Sequence, residues 1–219
     1  MASGFEILGL IGSIVIIVDT TIEVYDAIKN LHGLPEAFQQ VSNRLPLVKN
    51  AFEDAKGPAK NASSNDEKAL KELLESCEKK ARELQKIFMK IAKKSTGSEP
   101  VISVYRSLVL KLGKKSRVEI LMDDILKDLQ VMVAHSVFRA ATQKRVEEVE
   151  RARQELAEVP PSLSDSDFDE RPDTANQYGD GNRQYNAFGG IQKDVDGSYF
   201  EAGRDQNFGT MPLEASKKE

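Results

Sequence analysis

At Pro160-Pro161 the sequence changes character. Before the pair, apolar residues recur at helical spacing through most of the chain; after it the periodicity stops. Such a chain is not one uniform fold, because only the upstream part offers helix faces to bury against one another. Charge divides at the same place. From 157 onward there are 13 acidic and 6 basic residues, net −7, leaving 22 acidic and 25 basic upstream, net +3. The overall net of −4 therefore joins a mildly basic body to an acidic tail.

The body, 1–156, reads as an all-α helical bundle of four to five helices with a long C-terminal helix. Residues 5–30 form the opening helix. Ile7 to Val18 is uncharged and apolar nearly all round. Beyond it Asp19, Glu23, Asp26 and Asn30 share one face, and Val18, Ile22, Tyr25 and Ile28 another. Gly33 and Pro35 end this helix. Phe38, Val41, Leu45, Val48 and Phe52 line a second helix, which Pro46 is expected to kink because it lacks an N–H for the i−4 carbonyl. Gly57-Pro58 through Asn65 reads as a loop, and Ser64 with Glu67 as a capping box. The third helix then carries Leu70, Leu73, Leu74, Cys77, Ala81, Leu84, Phe88 and Ile91.

After a break at Ser95–Pro100, Val101 to Leu112 is a short helix by preference, although Val101, Val104 and Val109 keep a strand open. Gly113 punctuates the chain. Val118, Leu121, Ile125, Leu129, Met132, Val133 and Val137 make the stripe of the long last helix. Its charged continuation, Lys144 to Glu158, is expected to project into solvent. Downstream, 157–172 reads as an acidic linker, 173–211 as a signalling segment and 212–219 as a terminal tail.

Catalytic chemistry is hard to find. His32 and His135 lie in different helices without a Cys/His cluster, which leaves neither a metal site nor a general base. Leu112-Gly113-Lys114-Lys115-Ser116 superficially resembles a phosphate loop. Lys115, however, stands where Ser or Thr should follow the lysine, and Leu108 where the upstream glycine should be. Asp123-Asp124 reads as a solvated helix face. The expectation is a protein that is not an enzyme and has no cofactor. The single cysteine, Cys77, rules out an internal disulfide and reads as a buried thiol in a reducing compartment. Met1 to Glu6 has no Lys or Arg and no small-residue cleavage site follows Val18, so the chain is expected to be cytoplasmic at synthesis.

Three features can carry function. The first is the N-terminal apolar stretch, with Phe5, Ile7, Leu8, Leu10, Ile11, Ile14, Val15, Ile16, Ile17 and Val18 as membrane-insertion candidates. Twelve residues from Ile7 to Val18 rise only about 18 Å as a helix, short of the roughly 30 Å hydrocarbon core. Either it is a central core helix, or it inserts later in an assembly that gives Asp19, Glu23 and Asp26 access to water. The second is a basic stripe at helical spacing, Lys79, Arg82, Lys86, Lys90 and Lys93, which is either a solvated face or a patch for anionic membrane lipid. No aromatics interleave it, which argues against nucleic acid.

The third feature is the tail. Between Pro172 and Pro212 no proline interrupts a run rich in Asn, Gln, Gly and aromatics, with Asn176, Gln177, Tyr178, Gly179, Asn182, Gln184, Tyr185, Asn186, Phe188, Gly189, Gly190, Ile191 and Gln192 as the candidate core of a cross-β stack. In such a stack each Asn or Gln bonds its copy in the next chain. Stacked Asp180 or Asp194 would repel their copies, and Arg183 and Lys193 offset part of that. A disordered acidic tail is the other reading.

Both parts resemble one family. The opening helix, Leu34-Pro35-Glu36-Ala37-Phe38 leading to Arg44-Leu45-Pro46-Leu47-Val48, and Gly113-Lys114-Lys115-Ser116-Arg117-Val118-Glu119 leading to Leu121-Met122 are similar to the fungal HeLo-like and SesA-type N-terminal domains. Gln177 to Gln192 is similar to that family's pseudo-palindromic amyloid signalling motif, itself related to the motif of animal necroptosis. The resemblance implies a fungal programmed-cell-death executioner. An NLR-type receptor with a matching motif would template the tail into a homo-oligomeric amyloid, and the helical domain would then permeabilise the plasma membrane. A cytosolic adaptor recruited through the same motif, without membrane activity, is the alternative.

Overall fold

The computed structural model describes residues 5–94 and 100–168; the candidate amyloid core lies outside the described residues. The fold is all-α, with no strand among the described residues. In chain order it comprises α1 (Phe5–Ile28), α2 (Glu36–Ser42), α3 (Leu45–Ala59), α4 (Ser64–Lys94), α5 (Val101–Leu112), a 3-10 turn (Lys114–Ser116), α6 (Val118–Ala134), α7 (Arg139–Ala157) and a second 3-10 turn (Asp165–Asp167). α1 packs on α3 and α4, α6 on α4 and α7, and α3 on α7.

One continuous apolar core runs through all seven helices. Its centre is aromatic. Phe38 of α2 lies 4.9 Å from the Phe88 ring of α4 and, edge-on, 5.0 Å from Tyr105 of α5. The edge-to-face geometry sets the positive rim of one ring against the negative face of the other. α4 is the longest support, 31 residues with Leu70, Leu74, Cys77, Ala81, Leu84, Phe88 and Ile91 on its buried side. Cys77 is fully enclosed, and burial pushes its thiol well above the usual range.

Local boundaries depart from the sequence expectations in four places, each for a physical reason. Pro46 does not kink a helix. It occupies the first turn of α3, where its missing N–H has no intrahelical partner to lose, and the chain breaks before it at Asn43-Arg44. Arg44 is 6% exposed there, with Nε donating to the Ala152 carbonyl 2.9 Å away and Nη1 to the Gln40 carbonyl. Helix α3 continues through Gly57-Pro58 to Ala59, so the expected loop shrinks to Lys60–Ser63. The cap of α4 is one residue earlier than expected: Ser63 Oγ accepts from the Asp66 N–H, and the Asp66 carboxylate accepts from the Ser63 N–H, both at 3.2 Å. Glu67 instead accepts from the Glu6 N–H at the start of α1.

The fourth difference is the largest. The expected long C-terminal helix is two helices, broken at His135–Phe138. His135 Nδ1 accepts the Val137 N–H, and Thr142 Oγ1 donates to the Val133 carbonyl across the turn. Nor does the charged stretch project into solvent. α7 folds back on α6 and buries Thr142, Val149, Ala152 and Leu156, while Arg145 reaches Asp54 and Arg153 reaches Asp123.

Candidate functional site

α1 places the ten insertion candidates in three environments. Ile7, Ile11, Ile14, Val15, Ile17 and Val18 are buried, Leu8 and Leu10 are half-buried against the core, and Phe5 and Ile16 are 75% and 67% exposed. The two exposed residues belong to one stripe with Gly9 and Gly12 between them. So the core reading of this helix describes the resting chain, with an uncovered strip along it. The helix is also longer than its uncharged run. At 1.5 Å per residue its 24 residues span about 36 Å, more than the roughly 30 Å hydrocarbon core. It is the only helix among the described residues long and apolar enough to cross a membrane.

Polar ties hold α1 in place. Ser13 Oγ donates to Glu78 Oε1 at 2.5 Å and accepts from Arg82 Nη2 at 3.0 Å, and Arg82 closes the triangle on Glu78 at 2.6 Å. The Ser13 hydrogen bond, then Arg82, draws the Glu78 carboxyl below the usual carboxylate range. Lys49 of α3 pairs with Asp19 at 2.6 Å, which raises the Lys49 pKa. Lys71 pairs with Glu6 near the N-terminal end. These are solvent-screened contacts at or near the surface, individually weak. Burial of a full Ile or Val side chain contributes roughly 1.5–3 kcal/mol, so the core, not the ties, retains α1.

The basic stripe is one exposed face of α4: Lys79, Arg82, Lys86, Lys90 and Lys93 all reach solvent. Lys80, a step off it, is committed elsewhere, bonding Asp128 of α6 at 2.7 Å. Where α4 meets α5, Lys90, Lys94 and Lys111 line a cleft of about 330 Å³ with Ser103 and Ser107. A larger hollow of about 500 Å³ lies between α6 and α7, but Arg153 there is bonded to Asp123 and Gln130. The residues that resemble a phosphate loop form the 3-10 turn instead; Lys114 pairs with Asp165 at 2.6 Å and Ser116 donates to Glu83. No group of His, Cys, Asp and Glu able to hold a metal occurs among the described residues.

Sequence reasoning missed the segment after α7. Read as part of an acidic linker, Pro161 to Phe168 lies folded on the start of α6. Leu163 is 4% exposed, and Arg117 Nη1 donates to the Leu163 carbonyl at 2.9 Å and to Asp165 at 3.1 Å. The Ser162 N–H donates to Glu119, and the Tyr105 hydroxyl exchanges a 2.6 Å bond with Ser162 while accepting the Val118 N–H. Burial raises the Tyr105 pKa far above its usual value. The alternation of Ser and Asp across 162–167 was visible; its buried partners, Arg117 and Glu119, were not.

The family model of SesA, an N-terminal domain on NACHT-NTPase and P-loop NTPases, matches residues 11–132. The chain belongs to the SesA family. The SesA match begins inside α1 and ends near the end of α6, so it takes in the α1–α4 pairing and the aromatic centre. SesA domains stand on NACHT NTPases, which links the chain to that class of signalling protein. No curated protein matches the chain, and no solved structure does.

Proposed function

We propose that this SesA-family chain is a non-enzymatic cell-death effector of the HeLo-like kind, cytoplasmic at rest and acting at the plasma membrane once activated. In this reading a NACHT-type receptor with a matching motif templates the 173–211 segment into a cross-β homo-oligomer. The helical body, brought to high local concentration, then releases α1 into an anionic bilayer. The observation that carries the reading is α1 itself: long enough to span, uncharged from Ile7 to Val18, and already showing Phe5 and Ile16 to solvent. The exposed lysine face of α4 offers about 1 kcal/mol per residue toward anionic lipid. No cofactor or nucleic acid enters.

Deleting residues 1–18 is a poor test, because it strips six buried side chains from the core. A better one pins α1. Cysteines at Ser13 and Arg82, joined by a short bis-maleimide, fix α1 to α4, and the enclosed Cys77 stays unlabelled. Dye release from anionic liposomes, triggered by seeding the tail, should vanish when the link is closed and persist in the unlinked variant. Equal release from both sinks the effector reading. The adaptor reading has its own support in the occurrence of SesA domains on NTPases, and predicts full partner recruitment with no dye release at all. The tail half is tested separately: Pro-Pro in place of Gly189-Gly190 should abolish fibrils, since proline removes ladder donors.

A further inference from the structure

α5 ends in a corner unlike the rest of the surface. From Leu110 through Lys115 the sequence is Leu-Lys-Leu-Gly-Lys-Lys, and every residue but Gly113 is exposed. Gly113 turns the chain there with φ 97°, a conformation that favours glycine. Leu110 and Leu112 are 44% and 52% exposed, and Ile102 on the same helix is 37% exposed. Three of the seven exposed large apolar side chains among the described residues thus lie on α5, which buries only Val101, Tyr105 and Val109. Lys111 and Lys115 form no ion pair among the described residues, while Lys114 reaches Asp165 at 2.6 Å.

We propose that this corner is a second membrane-contact surface, for an anionic bilayer, and that the acidic strap 162–168 damps it in the resting chain. The inference rests on the membrane reading above but concerns binding, not permeabilisation. Leu110 and Leu112, two positions apart, leave opposite sides of α5 at its very end, with Lys111 between them and Lys114 and Lys115 just beyond. Such a helix tip suits an interface where apolar side chains enter below the headgroups and ammonium groups meet phosphates. An acidic peptide would use the cations but leave both leucines wet.

The strap is already an anionic occupant in cis. Asp165 takes Lys114 and Arg117, Asp167 takes Arg106, and Arg117 lies over the Phe168 ring at 5.8 Å. Its hold is incomplete, because Arg117 Nε and Glu119 Oε2 are buried beneath it without hydrogen bonds, Nε facing Glu119 Oε1 only at ion-pair distance, 3.6 Å. Exposed carboxylates such as Asp165, at 67% exposure, are also screened by salt. A bilayer of high negative charge can therefore compete for Arg106 and Lys114.

The experiment is co-sedimentation of the unseeded full chain with phosphatidylcholine vesicles containing or lacking phosphatidylserine. Leu110→Ser with Leu112→Ser should lower binding to the anionic vesicles by about tenfold or more. Lys111→Gln with Lys115→Gln should lower it by about fivefold per lysine. Asp165→Asn with Asp167→Asn should raise it several-fold and increase amide exchange in α5. All the substituted side chains except that of Asp167 are exposed, and circular dichroism verifies the fold of each variant. Parental binding by the leucine and lysine variants overturns the surface; faster exchange without tighter binding overturns the damping. Displacement by millimolar inorganic phosphate would mark a soluble-anion site and overturn the bilayer assignment. Failure of pinned α1 to abolish leakage, with corner binding intact, would count against the effector reading alone.

Discussion

α1 and α5 are both apolar helices, and the bundle treats them differently. α1 lies against α3 and α4 and buries eight residues, leaving a strip at Phe5 and Ile16; α5 touches chiefly α4 and the following turn and buries three. Composition alone does not set burial. What decides it is how many elements converge on the helix, and α5 has a polar strap where α1 has two long helices. The difference separates an element held by core packing from one held at its margin by hydroxyls and charges.

The comparison is broken most severely in the core of α1. Ile14→Ala should cost about 2–5 kcal/mol of unfolding free energy, measured by urea titration, because the cavity lies against a packed interior. Tyr105→Phe comes next. It leaves the buried Val118 N–H without its acceptor and frees Ser162, for an expected loss of about 1–3 kcal/mol. A value near zero would mean the strap does not hold α5. At the other end of the scale, Leu110→Ala should change stability by less than about 0.5 kcal/mol.

Acid should test the ties of both regions together. Glu78 beside α1 and Asp165 in the strap have folded pKa values below their unfolded ones, through hydrogen bonds from Ser13 and Lys114 respectively. Their contribution is complete above the ordinary carboxylate range, about pH 4, and is lost as pH falls through the folded values. Stability should therefore be flat in these groups from about pH 7 to pH 5 and decline below, and Glu78→Gln should flatten the decline. An unchanged acid limb in that variant would show the Ser13–Glu78–Arg82 triangle to be incidental.

Much of this fold was legible in the sequence where large apolar residues kept a helical period. α1, α4 and α6 stand at those positions, and α5 stops at Leu112, just before the glycine expected to punctuate the chain. The losses share a cause. α7 buries Thr142, Val149, Ala152 and Leu156, a correct stripe written partly in small residues, so its charge content masked it. The break before α7 depends on His135 and Thr142 bonding backbone across a turn, and local periodicity does not record such bonds. Of the candidate site, the apolar run and the lysine stripe could be read directly. Which two large apolar residues of α1 stay uncovered could not, because that depends on where α3 and α4 lie.

That detail supplies the most direct measurement. Ile16 sits at the middle of Phe5–Ile28 and is 67% exposed at rest. A charge there leaves the resting core alone yet falls near the bilayer midplane if α1 spans. Ile16→Lys should keep the parental unfolding free energy within about 0.5 kcal/mol. It should also add about 2.5–3.5 kcal/mol to insertion, so seeded dye release from anionic liposomes should drop roughly a hundredfold. Release at full strength from a normally folded Ile16→Lys protein would contradict the account, because α1 could not then be the helix that enters the membrane.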